Sequence, residues 1–301
     1  MKWRNGYWQA RRVMGAIGFL FVFFLALELG YSEEPEGLKK KIGFQFQPGQ
    51  IYRYKLEQNT NIVEITRDDP KAAIQTISSV HKLQVVKRWK ILEVAANGDA
   101  TIELSIEKMR MERQIGNDKA TIFDSESEAK DSKEETAQLK KMINTKIVVL
   151  QVNRSGDFIK LVESKFGSKN RFVTDLPFKL VLSSQELKKD TTWDRKYKIT
   201  LDPPQGAGES FDATQNYTVL VPTNGLESIQ VQTEIKDYPK DANLQIALLP
   251  TLQNGTIYFH SQTGRYYGSR LTIEKNIDDY QGPGTKYRYA CTLSEDLLDV
   301  K

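Results

Sequence analysis

The chain has little of the two residue types from which many compact metal and catalytic sites are built. Among its 301 residues there are one cysteine, Cys291, and two histidines, His81 and His260. One cysteine cannot form an internal disulfide, and a zinc site takes three or four His or Cys ligands, commonly at short spacings. We therefore predict no metal site and no cofactor, and we expect Cys291 to be a small core residue.

Motifs that carry chemistry are also missing. The chain has no HExxH, no CxxC, no Walker lysine loop and no GxSxG nucleophile elbow. Adjacent acids occur at 68–69, 278–279 and 295–296, and their polar flanks favour solvated turns. We predict no catalytic residues and a protein that is not an enzyme. A triad that uses His260 stays open because triads assemble from distant positions, but the His260-Ser261 dipeptide favours hydrogen bonding in a turn.

Long hydrophobic runs are limited to the N-terminus, where a basic segment precedes apolar residues 13–27 and the small residues Gly30 and Ser32. This pattern predicts a secretory signal over residues 1–32, because about 15 apolar residues are few for a membrane span of roughly 20. The alternative is an uncleaved N-terminal anchor, with membrane contact only through residues 13–29. Both place the rest of the chain outside the cytoplasm, in the periplasm, in the extracellular space or on the outer side of the inner membrane.

The excess of basic charge is small once this segment is set aside. The whole chain carries 43 basic and 39 acidic residues, and residues 1–32 account for four basic residues and one acidic residue. A net charge of +1 remains for the other residues. The composition therefore gives no reason to expect a nucleic-acid partner. The expected partner is a lipid, a carbohydrate or an envelope protein.

Residues 33–43 are predicted to be a linker, because residues 33–41 are mostly charged and hold a proline and a glycine. We expect a first β-rich half over 44–180, with a helix near 133–144, and a second β-rich half over 181–301. The two halves are expected to pack as one unit. Ser132 and Glu135 have capping-box spacing before the apolar positions of that helix, and Ser183 and Glu186 predict a second, short helix.

Strand patterns dominate the rest. Tyr52, Tyr54 and Leu56 alternate with charged residues, as in a half-buried strand. Asn97-Gly98 predicts a hairpin of about 80–95 with 99–112 through a type I′ turn. Further strands are predicted near 193–201, 210–222, 226–238 and 268–276, and the polar stretch 113–136 predicts a mobile loop. The fold class is mainly β with minor α: a large curved antiparallel sheet or open barrel with a few short helices.

Aromatic residues are frequent in this strand-like text. Trp89 and Trp193 are expected to be core residues. A curved sheet can also present an aromatic concave face to an apolar or carbohydrate ligand. The candidate ligand-binding residues on such a face are Tyr52, Tyr54, Tyr258, Tyr266 and Tyr267.

Four segments together resemble a family of uncharacterised planctomycete-type secreted β-rich proteins. They are FQPGQIYRYKL at 46–56, the Gly-turn hairpin at 85–109, KDTTW at 189–193 and GTIYFHSQTGRYYGSRL at 255–271. The chain departs from the family where Gly-Asp-Thr-Trp is usual, and His260 stands in place of the more usual Asp. The resemblance implies an envelope or extracellular setting and no catalytic residues.

These features predict an exported, non-enzymatic β protein that binds an apolar ligand or an envelope component on a sheet face. One alternative is a periplasmic or surface hydrolase that uses scattered carboxylates or His260. The other is a structural envelope protein that pairs with a partner through an exposed strand.

Overall fold

The computed structural model describes residues 42–67, 73–127 and 134–301. The predicted export segment, residues 1–32, lies outside them, as do residues 33–41 of the predicted linker. Twelve strands and three short helices are described. The strands are Ile51–Thr66 (β1), Gln75–Val94 (β2), Ala100–Ile115 (β3), Thr121–Asp124 (β4), Lys146–Val152 (β5), Phe158–Ser164 (β6), Thr192–Thr200 (β7), Ser210–Val219 (β8), Glu227–Ile235 (β9), Asn254–His260 (β10), Arg265–Asp278 (β11) and Lys286–Val300 (β12).

All twelve strands form one antiparallel sheet in the order β6-β5-β3-β2-β1-β12-β11-β10-β9-β8-β7, with β4 paired to β3. The first and last strands meet in the middle, where β1 pairs with β12 from Tyr52↔Val300 to Ile65↔Lys286. Each half is therefore a meander. The first runs from the centre to one outer strand, and the second runs from the other outer strand back to the centre. This confirms the predicted fold class of a large open antiparallel sheet with few helices.

The helices are Glu134–Met142 (α1), Lys169–Thr174 (α2) and Ala242–Leu248 (α3), and a 3-10 turn, Leu249–Thr251, follows α3. The helix predicted near 133–144 is confirmed as α1. The connection from β6 to β7 has to pass from one outer strand of the sheet to the other. Helix α2 lies in this connection and contacts both outer strands. The sheet is therefore curved enough for α2 to bridge its two ends. None of the described helices is long and apolar enough to span a membrane.

One face of the sheet holds the main core, and we call it the concave face. Residues 175–182 follow α2 across it, and we call this segment the plug. Its apolar residues alternate and are almost completely buried: Leu176, Phe178, Leu180 and Leu182. The Phe178 ring lies 6.1–6.3 Å from the rings of Tyr52, Tyr54, Trp89 and Tyr266, which come from β1, β2 and β11. The plug therefore joins the two halves of the sheet through one aromatic cluster.

The opposite, convex face is covered with cross-strand ion pairs. Arg53 of β1 contacts Glu107 of β3, two strands away, and Asp299 of the neighbouring β12, and Arg270 contacts Asp296. Alternation along each strand puts apolar residues on the core face and these charges in solvent. The two faces are thus chemically distinct, as the period-two pattern predicted.

Three local predictions were wrong. No helix forms at 183–186, because the Ser183 hydroxyl accepts from the Gln185 amide in a local turn while the chain leaves the core in extended form. The stretch 113–136 is not all loop, since β3 runs to Ile115 and β4 pairs with it. The hairpin of 80–95 with 99–112 is confirmed, but its turn is not type I′: only Gly98 has a positive φ.

Replacement of Phe178 by alanine is expected to reduce the free energy of unfolding by about 3–5 kcal/mol, because a ring buried among six aromatic neighbours leaves a cavity. Urea unfolding measures the loss. Val221→Ala, at a loop residue that is 63% exposed, is the matched control and should change stability by less than about 0.5 kcal/mol. A loss below about 1 kcal/mol for Phe178→Ala would contradict the role of the plug.

Candidate functional site

The five tyrosines predicted to bind a ligand do not share one surface. Tyr52, Tyr54 and Tyr266 lie on the concave face, and each is at most 3% exposed. Tyr258 lies between the buried residues Ile257 and Phe259, so strand alternation directs its side chain to the convex face. Tyr267 lies beside it, at a β-bulge, and stacks on His260 with 5.8 Å between ring centroids. The sheet separates the five into two groups.

The concave group is covered by the protein's own plug. Phe178 lies against all three tyrosines of this group, at 6.2–6.3 Å between ring centroids. The Tyr54 hydroxyl donates to the Tyr266 carbonyl at 3.0 Å. Burial, followed by the charge of Glu295, raises the pKa of both Tyr54 and Tyr266 well above the ordinary 10.0. These hydroxyls are therefore neutral donors inside the core.

His260 takes part in a turn, in agreement with its predicted hydrogen-bonding role. Its Nδ1 lies 3.2 Å from the Thr263 amide and 3.1 Å from the Thr263 hydroxyl. The neighbouring Ser261 hydroxyl donates to Glu227 rather than to His260. This arrangement fixes the β10–β11 turn and directs the Ser261 hydroxyl away from His260.

Charged groups lie under the plug, in the centre of the concave face. Glu295 of β12 is completely buried, pairs with Lys87 of β2 and accepts a 2.9 Å hydrogen bond from the Tyr266 hydroxyl. The expectation that the acids at 295–296 form a solvated turn is therefore wrong for Glu295. Residue 295 lies on the core face of a central strand, whereas Asp296 is on the convex face and pairs with Arg270. The alternation of the strand separates the two.

The plug carries a second ion pair, between Asp175 and the buried Lys179. Burial acts to raise the pKa of Asp175, but Lys179 and Lys87 hold it below the ordinary 3.8. Burial likewise opposes the charge of Lys179, yet Asp175 and Glu295 raise its pKa above 10.5. Both groups are therefore charged, and each is attracted to the oppositely charged member of the Lys87–Glu295 pair on the sheet. The two pairs hold the plug in one orientation on the sheet.

This charged centre has little room for a ligand. The cavity beside Asp175 and Lys179 measures about 10 Å³ and is also lined by Gln215 and Gln253. That is about the space needed for one water molecule. Asp175 keeps half of its side-chain surface accessible, although protein surrounds it closely enough for burial to be the largest influence on its pKa. The plug thus fills most of the space around these charges.

A larger opening lies at the end of the sheet where its turns meet. It measures about 290 Å³, and we call it the turn cleft. It is lined by Phe44, Gln45, Phe46, Val94, Ala95, Ala96, Asn97, Gly98 and Arg154. Its volume is close to the lower end of the usual range for ligand sites, about 300–1,000 Å³. Five of its nine lining residues are apolar, and its polar surface is about as large as its apolar surface, so the turn cleft is a candidate binding site of mixed character.

Three segments build the turn cleft. The segment before β1 is held by two backbone hydrogen bonds. The Phe44 amide donates to the Arg154 carbonyl at 2.8 Å, and the Gln45 amide donates to the Gly264 carbonyl. The β2–β3 turn closes through the Gly98 amide, which donates to the Ala95 carbonyl at 2.8 Å. The β5–β6 turn supplies Arg154. The cleft thus depends on contacts between residues more than 50 positions apart.

Two glycines make space for the Arg154 side chain. A Cβ atom at Gly43 would lie 2.8 Å from Cγ and Nε of Arg154, and one at Gly98 would lie 3.1 Å from its Cδ. A larger residue at either position would displace the arginine. The aromatic wall continues into the core, because Phe46 stacks on Phe44 at 5.4 Å and Phe44 contacts Phe178 and Phe259.

No protein-family model and no curated protein matches this chain. Solved structures with some similarity include lipovitellin, from a study of its lipid–protein interactions, at 11% identity and a TM-score of 0.37. The match covers 85% of this chain and 26% of the lipovitellin chain, so the chain spans about a quarter of that protein.

Two further structures are DynF from the dynemicin pathway of Micromonospora chersina and a DUF1329 family protein from Desulfovibrio piger. DynF has 12% identity, a TM-score of 0.16 and coverage of 86% of this chain and 85% of that chain. The Desulfovibrio protein has 11% identity, a TM-score of 0.14 and coverage of 82% and 85%. All three TM-scores are below 0.5, so these likenesses carry no argument about function.

The sequence contained partial signals for the turn cleft. The Pro48-Gly49 turn and the Asn97-Gly98 hairpin both predicted chain reversals at its border. Nothing in the periodicity indicated that residues near 45, 95 and 154 would meet. Cys291 was placed correctly as a core residue, since it is 7% exposed and accepts from the Thr60 hydroxyl. Among the described residues, no three His, Cys, Asp or Glu side chains are grouped as a metal site requires.

The buried pair of Lys87 and Glu295 should show strong coupling. Lys87→Met or Glu295→Gln alone leaves one buried group without its partner and is expected to cost about 3–5 kcal/mol. The double variant should lose clearly less than the sum of the two single losses. Urea unfolding of all four proteins measures the coupling, and additive losses would contradict a direct interaction.

Stability should depend on Asp175 in acid. Asp175 is more acidic in the folded protein than in the unfolded chain, so it stabilises the fold above about pH 3.8. That contribution is lost as the pH falls through its lowered pKa. The free-energy difference between the native protein and Asp175→Asn should therefore shrink between pH 6 and pH 2.5. Asp118→Asn, at an exposed turn residue, is the control, and parallel curves for Asp175→Asn would refute the pairing.

Proposed function

We propose that this protein is an exported, non-enzymatic β protein that binds an apolar ligand or an apolar part of an envelope component. The turn cleft is the observation that carries this proposal. It is open, its volume is about 290 Å³, and its walls include the aromatic rings of Phe44 and Phe46 and the aliphatic side chains of Val94, Ala95 and Ala96. The resemblance to secreted β-rich proteins and the N-terminal export pattern support the setting.

The position of the cleft suits a binding module. Binding residues are often carried on loops held by a rigid scaffold. Here the scaffold is a twelve-stranded sheet, and the cleft residues are fixed to it by backbone hydrogen bonds of 2.8–3.1 Å. The aromatic face predicted from the sequence is partly used as core, and its continuation through Phe44 to Phe46 reaches solvent in the cleft.

The hydrolase alternative has less support in the described residues. Nδ1 of His260 is engaged with the Thr263 amide and hydroxyl of its own turn, and Ser261 donates to Glu227 rather than to the histidine. The carboxylate at residue 295 is buried against Lys87 under the plug. Each group has a local structural role.

The structural alternative is favoured by one observation. Strand β6 is an end strand of the sheet, and Ile159 and Val162 on it are 41% and 54% exposed. End strands present backbone groups that an extended partner segment can pair with. The C-terminal strand β12, by contrast, lies in the centre of the sheet and is not available for pairing.

Native mass spectrometry of the full-length protein, purified gently from its own envelope, tests the proposal. We expect a bound small molecule of defined mass with an apolar part. Titration with lipids and envelope extracts should then show saturable binding, which Ala96→Trp reduces because a large ring fills the cleft. Val221→Trp, at an exposed loop residue outside the cleft, should leave binding unchanged.

Absence of saturable binding to any lipid, carbohydrate or envelope extract would contradict the proposed function. A mass shifted by a second protein chain, and restored to the monomer value by Val162→Lys, would favour the structural alternative through β6.

A further inference from the structure

We propose that the convex face carries a second binding site, at which a neutral oligosaccharide stacks on the rings of Tyr258, His260 and Tyr267. We call these three residues the aromatic patch. The patch shares no residue with the turn cleft, and the inference does not depend on the proposed function. It follows from the exposure of the rings, the hydrogen-bonding groups beside them and the pairing of the nearby charges.

The aromatic patch lies on the hairpin of β10 and β11. Tyr258 and His260 flank the buried Phe259 on β10, so strand alternation directs both side chains to the convex face. Tyr267 is the extra residue of the β-bulge on β11, and its ring stacks on His260 with 5.8 Å between ring centroids. All three residues are partly exposed. The hairpin thus presents three rings to solvent on one face.

Small residues on both neighbouring strands leave space beside the ring of Tyr258. In register, Tyr258 lies opposite Gly268 of β11 and Ser228 of β9. Gly268 has a φ of 153°, and a Cβ atom there would overlap the backbone carbonyl of Glu295. No larger residue fits at this position. The ring of Tyr258 therefore has no bulky neighbour on either side in its row of the sheet.

Neutral hydrogen-bonding groups lie one step along the same face. Thr256 of β10 lies opposite Gln230 of β9, two residues from the row of Tyr258. Among the described residues, these two side chains and the hydroxyls of Tyr258 and Tyr267 have no hydrogen-bond partner. A sugar has C–H faces that pack on aromatic rings and hydroxyls that need donors and acceptors. The convex face offers both kinds of contact side by side.

The charges around the aromatic patch are already paired, which favours a neutral ligand. Arg270 of β11 donates to Asp296 of β12 at 2.6 Å, and Asp296 lies opposite Gly268 in register. Glu227 of β9 accepts from the amide and the hydroxyl of Ser261. An apolar ligand over the patch would desolvate these groups, and an anion would meet two carboxylates. The hydroxyls of a neutral sugar can hydrogen-bond to them instead.

Calorimetric titration of the full chain with maltohexaose, cellohexaose and hexa-N-acetylchitohexaose tests the inference. We expect saturable binding of at least one of these neutral oligosaccharides. Tyr258→Ala and Tyr267→Ala should each weaken it by about 3- to 10-fold, because one stacking contact is lost. Gln230→Ala should weaken it by a similar factor through a lost hydrogen bond. Tyr258→Phe should keep most of the affinity, because the ring remains.

Tyr280→Ala is the matched control, since it removes a partly exposed tyrosine from the β11–β12 turn and should leave sugar binding unchanged. Thermal unfolding of each variant shows whether it is folded. Failure of all three sugars to bind the native protein, or unchanged binding in both Tyr258→Ala and Tyr267→Ala, would overturn the inference. Loss of sugar binding in Ala96→Trp alone would place the sugar in the turn cleft and would also overturn it. Binding of apolar ligands tests the proposed function separately.

Discussion

The packing of Phe178 against the concave face is the interaction on which the rest of the structure depends. A single antiparallel sheet of this width has one face that must be covered, and the described helices are too short to cover it. The connection from β6 to β7 crosses that face and buries Phe178 against rings from β1, β2 and β11. One segment thus supplies the second layer of the core and holds the two halves of the sheet together.

The charged residues of the plug determine its orientation on the sheet. Apolar burial has no direction, so a run of alternating apolar residues could be buried in more than one register. The Asp175–Lys179 pair on the plug faces the Lys87–Glu295 pair on the sheet, with opposite charges opposed. A shifted register would place like charges together or leave a buried charge unpaired, which is costly. In this protein the two ion pairs favour one orientation of the plug.

The same packing explains where a ligand site can exist. The plug occupies the centre of the concave face, and an aromatic surface reaches solvent where the plug ends and the turns begin. There Phe46 continues the stack that starts at Phe178 and passes through Phe44. Arg154 is brought beside it by a turn that Arg195 holds from the far edge of the sheet. The position of the candidate site therefore follows from the way in which the plug covers the core.

The sequence by itself determined the class of fold, the hairpin of β2 with β3, the helix α1 and the core position of Cys291, because period-two and helical patterns are local properties of the chain. It did not determine that β1 pairs with β12, that Tyr258 and Tyr266 lie on opposite faces, or that Glu295 is buried beside an exposed Asp296. Those outcomes depend on register, on a β-bulge at Tyr267 and on which strand lies in the centre. Only the tertiary structure brought Phe46, Ala96 and Arg154 together, because contacts between distant turns leave no periodic trace in any one segment.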